Sequence, residues 1–201
     1  MDAKTFERKE QLIAAARKEF INNNYEKASL NTIIKNANLS KGVFYYHFKN
    51  KEALYITLLE EAAQKKWHYI NSHSHTKDYH TLDIFDRFIY QAKTSVQFAH
   101  EFPQYHQLGR MFIKEKGNPI YWTALKHIEK LGTDILDEMI ETAYKNGEIN
   151  NKYPVHFTVK LLRHLFLEFE SIFDHEIDSD LQEMTDVLEK YVSFMRHGLN
   201  P

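Results

Sequence analysis

The sequence predicts an all-α protein of about nine helices. Three observations lead there. Breakers are scarce, with 6 Gly and 4 Pro in 201 residues, which favours long helices over a strand-and-turn architecture. Apolar residues recur at three- and four-residue spacing along most of the chain. The interruptions carry residues that start or stop helices, such as Ser29, Ser40, Asn50 and Asn146-Gly147.

The first helix is expected from about Thr5 to Asn22, with Phe6, Ile13, Ala16 and Phe20 on one face; Asn22-Asn23-Asn24 ends it. Ser29 caps a second helix carrying Leu30, Ile33, Ile34 and Ala37, and Asn38 stops it. Ser40 caps a short third helix, Lys41 to His47, and Asn50 a long fourth one with Leu54, Leu58, Leu59, Ala62 and Trp67 in period. The polar stretch Ser72–His80 reads as a break. Beyond it, Thr81–Glu101 forms a helix and Pro103 opens the next. Gly117-Asn118-Pro119 is a stop followed by a cap and a first-turn proline, and the helix it starts runs to Lys145. Pro154 begins a helix reaching about His175. Ser179-x-x-Gln182 reads as a capping box for the last, which ends near His197-Gly198.

Composition removes several functions. There is no cysteine, so a disulfide framework, a thiolate zinc site and a cysteine nucleophile are excluded. No apolar run has the length of a membrane span, and the N-terminus, MDAKTFERKEQ, lacks the apolar stretch of a signal peptide. A cytoplasmic protein without a membrane partner is expected. The net charge is only −2, yet residues 1–51 hold ten Lys/Arg against five Asp/Glu, a net of +5, and the remainder carries −7. A basic head on an acidic body suits a DNA-binding module joined to a separate domain.

The second and third helices, joined by Asn38-Leu39-Ser40, make a helix-turn-helix candidate. Ile33, Ala37, Leu39 and Phe44 can pack between them. Lys41, Gly42, Val43, Tyr45, Tyr46 and His47 can face outward to a major groove. Phe44 and Phe48 are expected in the core.

The stretch from Ile33 to Leu54, with Ser40, Gly42, Phe44-Tyr45, His47-Phe48, Asn50-Lys51 and Leu54 at fixed spacing, resembles the signature of the TetR family of bacterial transcriptional regulators. Ala14-Ala15-Ala16 and Phe20 extend the likeness upstream, so it covers about the first 55 residues. Two positions depart: Ile34 stands where the family usually has Ala, and Asn38 where it has Gly. Asn is the best substitute for Gly in a left-handed turn. The resemblance implies residues 1–50 as a DNA-binding domain and 51–201 as an effector-binding and dimerisation domain. It implies that Gly42 lets the recognition helix approach the groove, that Lys41 reaches a base edge or phosphate, and that Tyr45 and Lys51 clamp phosphates. Tyr46 and His47 would touch phosphate or base, and Asn31 and Thr32 would meet the backbone through side chains and free amides. The partner would be palindromic double-stranded operator DNA, bound by a homodimer.

Family resemblance further implies dimerisation through the last two helices, about Val155–His175 and Asp180–His197. The first carries two apolar stripes: Phe157, Leu161, Leu165, Glu168 and Ile172, and Val159, Leu162, Phe166, Phe169 and Phe173. One would face the protomer's own core and the other a partner. An effector pocket is expected among Trp67, Phe88, Gln91, Phe98, Tyr105, Phe112, Trp122, Phe166 and Phe169, taking an apolar or cationic small molecule. The fourth helix would carry its signal to the head. Catalytic and metal sites are not expected: no nucleophile–base pair or Gly-rich phosphate loop is present, and His73, His75 and His80 sit in a polar stretch. No cofactor is expected. Two other readings are an all-helical enzyme or carrier with merely structural N-terminal helices, and an effector-independent architectural or division factor.

Overall fold

The structure, a computed structural model, describes residues 3–74, 77–173 and 181–198. Among them lie ten helices and no strand: α1 (Ala3–Asn22), α2 (Leu30–Asn36), α3 (Lys41–His47), α4 (Lys51–His73), α5 (Lys77–Thr81), α6 (Ile84–Glu101), α7 (Pro103–Lys114), α8 (Pro119–Lys145), α9 (Val155–Ile172) and α10 (Leu181–His197). The count exceeds the expected nine by α5, which forms inside the stretch read as a polar break. Tyr79 anchors it: this one aromatic is buried while its neighbours Asp78 and His80 are exposed. A single buried ring leaves no periodic signal in a sequence. The helix expected from Thr81 starts instead at Ile84, because the Asp83 carboxylate accepts the amides of Phe85 and Asp86, both at 2.9 Å. The capping box at Ser179 and the helix end at His175 fall outside the described residues.

The chain divides into two compact units, Met1–Lys66 with Ala99–Lys130, and Trp67–Phe98 with Leu131–Pro201. In the first, Leu12, Ala16 and Phe20 of α1 are buried with Ile33 of α2, Phe44 of α3, Leu54, Tyr55 and Leu58 of α4, Leu108 and Phe112 of α7, and Ile120 of α8. Each Leu, Ile or Phe side chain among them contributes about 1.5–3 kcal/mol by leaving water. The short helices α2 and α3 could not stand alone at seven residues each; Ile33 and Phe44, both fully buried, hold them in this core.

In the second unit, Phe88 of α6 stacks on Phe166 of α9 with centroids 4.1 Å apart. Around them are Leu136 and Ile140 of α8, Val159, Leu162 and Phe169 of α9, and Leu188, Tyr191 and Val192 of α10. The stripe Val159, Leu162, Phe166 and Phe169 therefore faces the protomer's own core, with Phe173 packed against it. The other stripe leaves Phe157, Leu161 and Ile172 exposed. Arg196 of α10 returns to the start of α6, pairing with Asp83 at 2.7 Å and Asp86 at 3.0 Å.

Candidate nucleic-acid interface

The helix-turn-helix is shaped by three polar residues, one before α2 and two in the turn between α2 and α3. Ser29 accepts the Thr32 amide at 3.3 Å and caps α2. Asn38 takes the left-handed conformation, φ 55°, the position at which the chain reverses and where the TetR pattern has Gly. Ser40 accepts the Val43 amide at 3.4 Å and starts α3. The Thr32 and Val43 amides are thus engaged by caps; Thr32 retains its side chain for a phosphate, not its N–H.

Helix α3 has a sharply divided surface. Phe44 is fully buried and Phe48 nearly so, both as expected. Tyr45 is 59% and Tyr46 73% exposed, an unusual state for two adjacent large rings. Lys41 and Gly42 are exposed, Val43 and His47 half-buried, and Asn31 of α2 is exposed. The Tyr46 and His47 rings meet edge to face at 5.0 Å. Burial pushes the His47 imidazole below its ordinary range, and the charges of Lys9 and Arg8 push it the same way.

A Cβ at Gly42 would meet only Ser40 Oγ, at 3.8 Å, an ordinary contact. Nothing inside the protein requires glycine there, although glycine costs a helix about 1 kcal/mol relative to alanine.

Lys51, expected at a phosphate, is engaged within the protein. Its Nζ donates to the carbonyls of Tyr25 at 2.8 Å, Ala28 at 3.1 Å and Glu26 at 3.4 Å, and it lies 4.5 Å from the centre of the Tyr25 ring. An ammonium has three N–H groups, and all three have carbonyl partners here. The carbonyls belong to the α1–α2 connection, about 25 residues away in sequence. The same connection is held from α7 by Glu115, a buried carboxylate that accepts the Tyr25 amide. Asn118 adds a bond to the Glu26 carboxylate at 3.3 Å.

The nine expected effector residues are divided between the two units. Tyr105, Phe112 and Trp122 belong to the first unit; Trp67, Phe88, Gln91, Phe98, Phe166 and Phe169 belong to the second. Tyr105 donates to Glu61 at 2.8 Å and lies under the Arg17 guanidinium at 4.2 Å. Phe112 stacks on Tyr121, and Trp122 is 56% exposed. In the second unit Phe88 and Phe166 are stacked, Phe169 shares their core, and Phe98 meets Tyr69 at 5.6 Å. Trp67 is half-buried. Gln91 has partners the sequence did not suggest: its amide donates to the Tyr79 hydroxyl at 2.8 Å and approaches the Met139 sulfur at 3.7 Å. No helix among the described residues is long and apolar enough to cross a membrane, and no group of three metal-ligating side chains occurs among them.

Residues 12–58 match the family model described as bacterial regulatory proteins, tetR family. The HTH-type transcriptional regulator QacR of Staphylococcus aureus is 37% identical over 62 residues, 29% of this chain and 33% of that protein, so the match spans a third of QacR. The uncharacterized HTH-type transcriptional regulator YhgD of Bacillus subtilis is 27% identical over 198 residues, 94% of this chain and 96% of its own. Among solved structures, the transcriptional regulator FadR from Bacillus subtilis, in complex with stearoyl-CoA, superposes with a TM-score of 0.73 at 17% identity, covering 95% of this chain and 99% of that one. The fold is thus shared over nearly the whole length, and the helix-turn-helix is matched in sequence as well. By that match and by the capped, outward-facing geometry of α2 and α3, residues 12–58 carry a helix-turn-helix similar to that of the tetR family of bacterial regulatory proteins.

Proposed function

We propose that this chain is a ligand-responsive transcriptional repressor that binds a palindromic operator as a homodimer and is released by a small-molecule effector. The observation that carries the DNA-binding part is α3 itself: two exposed tyrosines and an exposed lysine beside a glycine that no internal contact requires. Lys41, Gly42, Val43, Tyr45, Tyr46 and His47 enter the major groove, and Asn31 and Thr32 meet the backbone alongside. Lys51 acts by position: it fixes the α1–α2 connection from which Ser29 starts α2. Residues 1–50 form the DNA-binding domain, 51–201 serve effector binding and dimerisation, and the site of action is the cytoplasm.

The dimer forms through the outward stripe of α9. Phe157, Leu161 and Ile172 of that stripe, and Phe194 of α10, are exposed large apolar side chains, and contiguous exposed apolar surface marks interaction sites. The effector is apolar or cationic and is held in the second unit, where the stacked Phe88 and Phe166 lie in a core that also holds Phe169. Gln91, Tyr79 and Met139 supply a polar handle on α5, α6 and α8. FadR, of the same fold, was solved with stearoyl-CoA, which is in keeping with a long apolar ligand. The effector acts because it binds two arrangements of the dimer unequally, and the continuous helix α4, Lys51–His73, carries the difference to the head.

The test is selection of bound duplexes from a random library by the full-length protein, followed by titration with and without candidate effectors. Enrichment of a palindrome with half-sites separated by about one helical turn or more supports the reading. A library that remains random contradicts it. Enrichment without release by any stabilising ligand favours an effector-independent DNA-binding factor.

A further inference from the structure

Glu115 is the one charged residue that is buried among the described residues, at 6% exposure. Two local preferences oppose a carboxylate in that place. It closes the C-terminal end of α7, where the helix dipole favours cations, and burying a charge is costly unless hydrogen bonds compensate. The compensation comes from the head: the carboxylate accepts the Tyr25 amide, 90 residues away in sequence.

Asn118 repeats the pattern. Its side-chain oxygen accepts the Ile120 amide at 3.1 Å, at the start of α8, and its side-chain amide donates to the Glu26 carboxylate at 3.3 Å, 92 residues away. Two consecutive residues of the α1–α2 connection are thus gripped by two residues of the α7–α8 corner, all within the first unit. Lys51 holds the same two residues through their carbonyls. It begins α4, however, shortly after α3 ends, and so moves with the helix-turn-helix. Glu115 and Asn118 instead tie the connection to a distant part of the chain.

The connection is tight enough to pass a displacement on. The Lys27 and Ala28 amides bond back to Asn24 at 3.0 and 2.9 Å, and the Ser29 amide bonds to the Glu19 carboxylate at 2.9 Å. Ser29 then caps α2. Leu108 and Phe112 of α7 also share the core of the head, but apolar contact is non-directional, whereas a hydrogen bond restricts angle.

We infer that Glu115 and Asn118 are positioning residues for DNA recognition: they set the angle at which each protomer presents α2 and α3, and thereby the separation of half-sites that the dimer accepts. The inference rests on the DNA-binding reading above. Both residues act through the α1–α2 connection and not on DNA, and both lie outside the matched segment 12–58.

The experiment starts from the palindrome that the full-length wild type selects from a random library. Its half-sites are rebuilt at the selected spacing and at spacings one base pair shorter and longer, and each duplex is titrated by fluorescence anisotropy. Wild type is expected to bind the selected spacing about tenfold more tightly than the other two. Glu115→Leu, which leaves the Tyr25 amide without its acceptor, is expected to lose that advantage and to bind all three within about threefold. Its salt slope should match wild type, since no phosphate contact is removed. Glu115→Gln keeps an oxygen for the amide and should keep the preference. A purely structural loss lowers the folded fraction and weakens binding equally at every spacing. If Glu115→Leu loses helical content, Asn118→Ser serves in its place: it keeps an oxygen to cap α8, removes the donor to Glu26, and should broaden the preference in the same direction. A wild-type preference in the folded variant, or a Glu115→Gln protein as permissive as Glu115→Leu, overturns the inference while leaving DNA binding by α3 intact. A wild type that binds the three spacings alike overturns it too, and one that enriches no palindrome overturns the reading above as well.

Discussion

The ammonium of Lys51 lies 2.8 Å from the carbonyl of Tyr25 and 4.5 Å from the centre of its ring. One side chain thus closes the connection between α1 and α2 from the start of α4. The Tyr25 ring in turn packs on Phe20 and Tyr55, with centroids 6.2 and 5.1 Å away. Burial, with the nearby Glu115 and Tyr25, keeps the Tyr55 hydroxyl protonated well above the usual tyrosine range.

Lys51→Met should therefore act on stability before it acts on DNA. Hydrogen bonds to charged groups contribute about 1.5–3 kcal/mol each when isolated, but these share one partly exposed ammonium, so a total loss of about 2 kcal/mol is expected. For a chain of this length that lowers the midpoint of thermal unfolding by roughly 4–8 °C, measurable by circular dichroism. DNA affinity should fall while its salt slope stays at the wild-type value. A slope lowered by about one unit, with unchanged stability, would return Lys51 to the phosphates.

The two stripes of α9 make opposite predictions for adjacent leucines. Leu161 is 45% exposed and Leu162 7%. Leu161→Glu should yield a folded monomer in sedimentation, since an unpaired charge buried in an interface costs several kcal/mol. Leu162→Glu places the charge in the protomer's own core and should unfold the second unit. A dimer that survives Leu161→Glu would exclude this face as the interface.

At the start of α6, burial pushes the Asp83 carboxyl up, but the Asp86 amide and the Arg196 charge outweigh it and hold the group below its usual range. A depressed carboxyl stabilises the fold fully above its unfolded value, about 3.9, and loses that stabilisation as pH falls through the lower folded value. Arg196→Met should be less stable than wild type at neutral pH, by no more than about 1 kcal/mol for so exposed a pair. The gap in urea midpoint should close in strong acid, once Asp83 is protonated. A gap of equal size there would mean that Arg196 stabilises through its guanidinium over the Phe85 ring, and not through its ion pairs with Asp83 and Asp86.

The head was legible because its chemistry is local. Ser29 and Ser40 cap the helices they precede, Asn38 takes the left-handed turn, and Phe44 and Phe48 are buried beside exposed Tyr45 and Tyr46. The partners of Lys51 within the protein were not legible, because they are carbonyls of a distant loop and a sequence displays side chains rather than main-chain acceptors. The aromatic residues of the body were correctly expected at helical spacing, but spacing shows that a ring is buried and not which core receives it. Phe112 and Phe88 consequently lie in different units. Tyr79, the partner of Gln91, was hidden in a polar stretch whose single buried ring has no period.

Gly42 offers the most direct test of the claim that α3 is the DNA-reading element. Its Cβ position is open apart from Ser40 Oγ at 3.8 Å, so Gly42→Leu should fold with wild-type helical content and a midpoint of thermal unfolding at or above that of the native protein. The leucine side chain would stand between the recognition helix and the groove. Titrated by fluorescence anisotropy against the duplex that wild type selects, the variant should lose at least 100-fold in affinity, about 2.7 kcal/mol. A folded Gly42→Leu protein that binds this duplex as tightly as wild type would contradict the account.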